Sequence, residues 1–235
     1  MTEPARFTRL LPAGPPATAA ELAAELNLRA LAPPDRPAVV LNMIASLDGR
    51  ITIAGRAGAL TNRADYELFH ALRGAADAVL VGAGTVRAEG YGPMEQLAVI
   101  VSNGLDLPPE LGVLRAPGNR VVIVTASDGE LEPCAAEVSY LRTSDLGEAL
   151  RTLRADHGVA AIDCEGGAHL NATLLPAGLV DELHLVVSPL VVGGRDPLTL
   201  LAGDQLDPPL GAELVWVLEA GGWLFTRYRL ERCGP

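Results

Sequence analysis

The chain has 235 residues, a length for one large domain or two small ones, and 49% of them are apolar against 20% charged. A sizeable core is therefore expected and wholesale disorder is excluded. With 18 Lys and Arg against 29 Asp and Glu, the formal charge of −11 excludes partners held by a basic field, so neither nucleic acid nor an anionic membrane surface is expected. Any phosphate on a ligand must be held by local amides and a few placed cations. Cys134, Cys164 and Cys233 have neither disulfide-framework nor zinc-ligand spacing. No apolar run approaches the ~20 residues of a membrane span, and none of signal-peptide length follows the first arginines. A reduced, cytoplasmic, enzyme-sized protein is the expectation.

In chain order, residues 1–37 are rich in Ala and Pro and read as an arm packed on the domain that follows. The arm holds one short helix over 18–28, with Thr18 as N-cap and Glu21 as its capping-box partner. Residues 38–235 read as a single domain. AVVLNMIAS is a buried strand by its apolar run, and 62–73 an amphipathic helix capped by Thr61 or Asn62. AADAVLVG, LAVIVS and RVVIVT are three further strands. A helix over 145–156 leads into the strand VAAIDC, and a short helix over 168–176 into the strand ELHLVVSPLVV. The last segment, AELVWVLEAGGWLFTRYRLE, is two alternating strands around Ala-Gly-Gly: a hairpin. Strands interleaved with helices predict an α/β fold, its mixed, mostly parallel central sheet flanked by helices. ELHLVVSPLVV and the hairpin could form a dimer interface or plain core.

Ligands of open α/β sheets sit beyond the carboxyl ends of the strands. Two strand ends are marked by glycine: Gly82-Ala83-Gly84-Thr85, and Glu165-Gly166-Gly167. Glycine lets the backbone approach a ligand and free amides favour phosphate, so two such junctions in one sheet point to a phosphate-rich cofactor. The pattern departs from the dinucleotide fingerprint, with Arg87 in place of a third glycine. The next strand ends in Ser102 where NAD enzymes place an acid, which permits a 2′-phosphate. Among charged residues near strand ends, Asp48 resembles a common turn aspartate. Asp65 suits the first turn of a helix and Arg73 its last. Glu165 differs, because a carboxylate ending a buried strand needs a partner. Phe69 and Leu72 read as core by period.

LNMIASLDGRI, the helix ending in ALRG, ADAVLVGAGTVRAEGYGP and EGGAHLNATLLPAGLVDELHLVVSPLVVGG occur in this order. Together they resemble the pyrimidine reductase domain of bacterial riboflavin biosynthesis, over roughly residues 36–230. The resemblance implies a dihydrofolate-reductase-like three-layer fold and a homodimer. It also implies NADPH-dependent reduction of a ribosylamino-pyrimidinone 5′-phosphate, a phosphorylated heterocycle, to its ribitylamino form. Carried over by position, cofactor contacts fall on Ala45, Thr61, Gly82, Gly84, Thr85, Ser102, Gly166, Gly167, Ala168, His169, Leu170 and onward to Thr173, with Glu89 at a ribose. Substrate contacts fall on Asp48, Arg73 and Glu165, and one of the two acids among them serves as proton donor. Asp65 aligns with the helix acid that protonates pterin in dihydrofolate reductases proper, so a pterin or dihydrofolate-like substrate is an alternative. The zinc signature of the partner deaminase is missing, and 54–60 and the loop after Gly92 lack the family's polar and arginine residues. A third alternative is a non-catalytic NADP(H)-binding module.

Overall fold

The computed structural model describes residues 3–195 and 197–231; Cys233 lies outside the described residues. The N-terminal segment holds more than its one expected helix. Arg6–Leu11 (β1) and Gly14–Thr18 (β2) form a hairpin ahead of Ala19–Leu26 (α1). Thr18 caps α1 as its spacing predicts: its amide donates to Glu21 at 2.7 Å and its hydroxyl accepts from the Glu21 amide at 3.3 Å. The strand GPPAT is hidden in the sequence by its two prolines, which are tolerated because β2 is the outermost strand.

The remaining elements follow in order. They are Ala38–Ser46 (β3), Arg63–Ala75 (α2), Ala78–Gly82 (β4), Ala83–Glu89 (α3), Leu97–Val101 (β5), Gly112–Arg115 (α4) and Arg120–Thr125 (β6). Next come Glu137–Arg142 (β7), Leu146–His157 (α5), Ala161–Gly166 (β8), Ala168–Leu174 (α6), Glu182–Ser188 (β9), Ala212–Ala220 (β10) and Trp223–Leu230 (β11). Three of these escape sequence reasoning, the four-residue α4 among them. The helix α3 starts directly after Gly82, where the glycines read as a turn. The edge strand β7 is half-buried at best, so no apolar run announces it. The strand expected to continue through ELHLVVSPLVV stops at Ser188, where Pro189 cannot donate to a ladder.

The strands make one sheet in the order β2-β1-β10-β11-β9-β3-β8-β4-β5-β6-β7. From β9 to β7 every pairing is parallel, and from β9 to β2 every pairing is antiparallel. Both faces of β3 are covered: Val39 and Leu41 join one apolar cluster with α5 and α6, and Val40 joins another with α1 and α2. That two-sided burial produces the unbroken apolar run in its sequence. Phe7 of β1 meets Phe225 of β11 edge-on at 5.0 Å, which ties the N-terminal hairpin to the second cluster. Arg227 of β11 closes on Glu182 of β9 through two bonds of 2.7 Å. Among the described residues no helix is long and apolar enough to cross a membrane.

Candidate active site

The chain runs from β3 out to β4, β5, β6 and β7, then returns to lay β8 between β3 and β4. The carboxyl ends around that return are where an open α/β sheet receives ligands, and two adjoining cavities lie there. One, of about 540 Å³, is bounded by Gly82, Gly84, Ser102, Thr143, His169 and Thr173 among others. The second, of about 620 Å³, runs under α2 past Asp65, Phe69, Arg73, Tyr91 and Glu165. They share Gly82, Gly84, His169 and Leu170, so one ligand can extend from the first into the second.

The two glycine junctions form the shared wall. Gly166 and Gly167 have φ of +70° and +108°, values that disfavour any side chain. An added Cβ would approach Met43 Sδ to 2.7 Å at Gly166 and Thr85 Oγ1 to 2.7 Å at Gly167. The β8–α6 junction therefore packs directly on β3 and α3. The pairing of β4 with β8 shifts register at this point, between Leu80 and Val81. Beside Gly84 a Cβ would meet nothing within 4 Å, which leaves room for a ligand against the backbone. Ser102, ending β5, is buried and bounds the first cavity with Asn103 and Arg87. Its one carboxylate, Asp106, faces Arg87 at 3.6 Å. Backbone approach, hydroxyls and a placed cation, with no unpaired acid, suit the phosphates of a dinucleotide.

In the second cavity Glu165 is the hub. Arg73 donates to its two oxygens at 2.7 and 2.8 Å, and Tyr91 donates its hydroxyl at 2.5 Å. The side chains of Arg73 and Glu165 are 19% and 2% exposed. Burial alone would weaken the guanidinium's hold on its proton, but the bond to Glu165 and its charge outweigh that and hold it more firmly. Burial and then the Glu165 charge push the Tyr91 phenol well above its ordinary range, so it remains a donor. Arg73 also lies 4.6 Å over the ring of Phe69. Phe69 is thus a wall of the cleft and not interior core, because α2 turns that face to the cavity.

Asp65 follows the N-cap Asn62, whose side chain accepts its amide at 2.8 Å. Its carboxyl faces the second cavity with no hydrogen bond or ion pair among the described residues, and burial pushes it up to about 6. Glu89 also borders this cavity, but its carboxylate accepts the Ala57 amide at 2.8 Å. It holds the loop after β3.

Most expected contacts converge: Thr61, Gly82, Gly84, Thr85, Ser102, Gly167, Ala168, His169 and Leu170 border one or both cavities, with Asp65, Arg73, Glu89 and Glu165. Three do not. Ala45 is buried against Ile51 and Ala168, and Gly166 is buried behind Gly167, where its role is the turn. Asp48 lies outside both cavities. It accepts from the Ser46 hydroxyl at 2.6 Å and from the amides of Val192 and Gly193 at 3.0 and 2.6 Å. Those bonds hold its carboxyl well below the usual carboxylate range. Its oxygens close the loop after β9 against the loop after β3. Sequence reasoning missed Tyr91 and Asp163. Tyr91 stood in the motif block AEGYGP, and Asp163 stood two residues before Glu165 on one strand, which places both on one face.

A family model, the RibD C-terminal domain, matches residues 37–219. The 2,5-diamino-6-ribosylamino-4(3H)-pyrimidinone 5′-phosphate reductase of Methanothermobacter thermautotrophicus is 33% identical over 191 residues, 73% of this chain and 87% of that protein. RibD of Bacillus amyloliquefaciens is 29% identical over 72% of this chain, which spans only 50% of that longer protein. Among solved structures, a pyrimidine reductase-like protein from Corynebacterium diphtheriae superposes with a TM-score of 0.70 at 23% identity, covering 92% of this chain and all of its own. RibD of Acinetobacter baumannii gives 0.72 at 24% identity over 90% of this chain and 63% of its own. These likenesses identify the fold as dihydrofolate-reductase-like.

Proposed function

The chain belongs to the RibD C-terminal domain family, and on that premise we propose that it is an oxidoreductase of riboflavin biosynthesis, reducing a ribosylamino-pyrimidinone 5′-phosphate to its ribitylamino form with NADPH. The observation that carries the reading is the Arg73–Glu165–Tyr91 cluster, set in a cleft that shares a wall with a cavity suited to dinucleotide phosphates. The names of the relatives agree with it. A bound NADPH supplies the hydride. The residues of the chain bind, orient and exclude water. Glu165, held side-on by Arg73, offers a fixed negative charge where an imine of the opened ribose gathers positive charge. Tyr91 keeps the carboxylate from rotating, and Phe69 with Met43 and Ile44 forms the apolar wall against the ring.

The preference for NADPH rests on Ser102, Asn103 and Arg87 beside the end of β5. Ser102→Asp is expected to raise KM for NADPH at least tenfold, about 1.4 kcal/mol, while NADH is affected far less; equal effects on both cofactors would reject this placement of the 2′-phosphate. A cytoplasmic homodimer is part of the same proposal, and the exposed Leu214 and Leu224 of β10 and β11 supply an apolar face for a second copy. The decisive assay is NADPH consumption by the purified protein with the aminated and the deaminated pyrimidine. Turnover of either establishes the reading, and NADPH binding without turnover of both rejects the substrate.

Asp65 favours a second reading. A carboxyl in the cleft with no partner and a midpoint of about 6 suits proton donation to a ring nitrogen, as reduction of a pterin or dihydrofolate requires. Dihydrofolate is therefore the next substrate to assay.

A further inference from the structure

Asp163, two residues before Glu165 on the same face of β8, has no place in the reading above. It is 1% exposed in the middle of β8, and its Oδ2 has no hydrogen-bond partner. Arg73, the nearest cation, gives it no hydrogen bond, because its Nε and Nη2 are both bonded to Glu165. The other neighbours are the Tyr91 phenol, itself a donor to Glu165, and Asn42 of β3, whose Nδ2 completes no hydrogen bond but favours the charged form of Asp163. Cys164, between the two acids, carries a thiol that burial pushes up to about 12, so it adds no charge. A carboxylate left buried and unpaired beside a second carboxylate is among the costliest arrangements a core can hold. A neutral acid in the same place is not costly, and it can donate a hydrogen bond to Glu165, whose oxygens have room for one more.

We propose that Asp163 sits in the fold as a neutral acid and is a positioning residue for the cleft, holding Glu165 from below so that Arg73 remains undivided on it. Burial, then the Glu165 charge, pushes the Asp163 carboxyl well above its ordinary range, with Arg73 and then Asn42 opposing them only partly. Losing the proton would put two negative charges against one guanidinium and pull Arg73 off its side-on geometry. The role in turnover rests on the reductase reading; the protonation state does not.

The test therefore has two arms on the full chain. Infrared spectra of the protein in D2O at pH 8, where Asp65 has already ionised, should contain a protonated-carboxyl carbonyl band. That band should vanish in Asp163→Asn and persist in Asp65→Asn; its absence from the unsubstituted protein overturns the proposal. In the second arm, Asp163→Asn keeps a neutral donor and should turn over within threefold of the parent. Asp163→Leu should lose at least tenfold in kcat with the NADPH dissociation constant unchanged. A leucine variant with the parent's kcat overturns the positioning role. Failure of the parent protein itself to reduce any substrate counts against the reductase reading, and the infrared band then decides this proposal alone.

Discussion

Glu165→Gln is expected to lower kcat by one to two orders of magnitude while the NADPH dissociation constant stays within about twofold. The glutamine can still accept from Tyr91, but it lacks the charge that orients Arg73 and faces the reacting carbon. A charge-assisted hydrogen bond is worth about 1.5–3 kcal/mol, which corresponds to roughly 10- to 150-fold in rate. The same substitution leaves the Arg73 guanidinium, 19% exposed, without its counter-charge. Breaking one side of a buried pair typically costs about 3–5 kcal/mol. A fall in Tm is therefore expected beside the fall in kcat, and Arg73→Met should share both. Steady-state kinetics, NADPH titration by fluorescence and thermal melts check these outcomes together. Collapse of NADPH binding in Glu165→Gln would mean that the residue holds the cofactor and that its assignment to the substrate is wrong.

The second large effect is a gain. Asp65→Asn should be more stable than the parent at pH 8 by roughly 2–3 kcal/mol, at about 1.4 kcal/mol per pKa unit. The sign follows from linkage. Burial raises the carboxyl from 3.8 to about 6, so the folded state holds this proton more tightly than the unfolded chain does. The associated stability is complete below about pH 4 and is lost as pH rises through about 6. Asparagine has no proton to lose, so its advantage should vanish by pH 4 and level off above pH 7. Melts across that range measure it; at about 2–4 °C per kcal/mol for a chain of this size, several degrees separate the two proteins. With the ribosylamino substrate the variant should turn over within a few-fold of the parent. With dihydrofolate it should be crippled if that compound is a substrate. A variant destabilised at pH 8 would show that the carboxylate has a partner in solution and would remove the basis for its acid role.

How far the sequence reaches can be followed residue by residue. The apolar runs of β3, β4, β5 and β6 specify strands buried on both faces. The cap residues Thr18, Asn62 and Asp145 start their helices where their side chains accept the expected amides, because capping is local chemistry within one turn. The glycines at Gly82 and Gly166 mark the ligand-binding edge for the same kind of reason, a backbone requirement expressed by the residue itself. Glu165, ending a buried strand, announces its need for a partner. Which partner answers that need is another matter. Arg73 is 92 residues away along the chain and Tyr91 74, and only the return of β8 between β3 and β4 brings them together. The family resemblance puts Asp48 and Glu165 alike at the substrate, yet the loop after β9 claims the first through two backbone amides while the cleft keeps the second. Local rules determined most of the elements and the starts of their helices. The order of strands in the sheet decided which charges meet, which remain alone, and which face the cleft, because those depend on contacts between segments that no local pattern encodes.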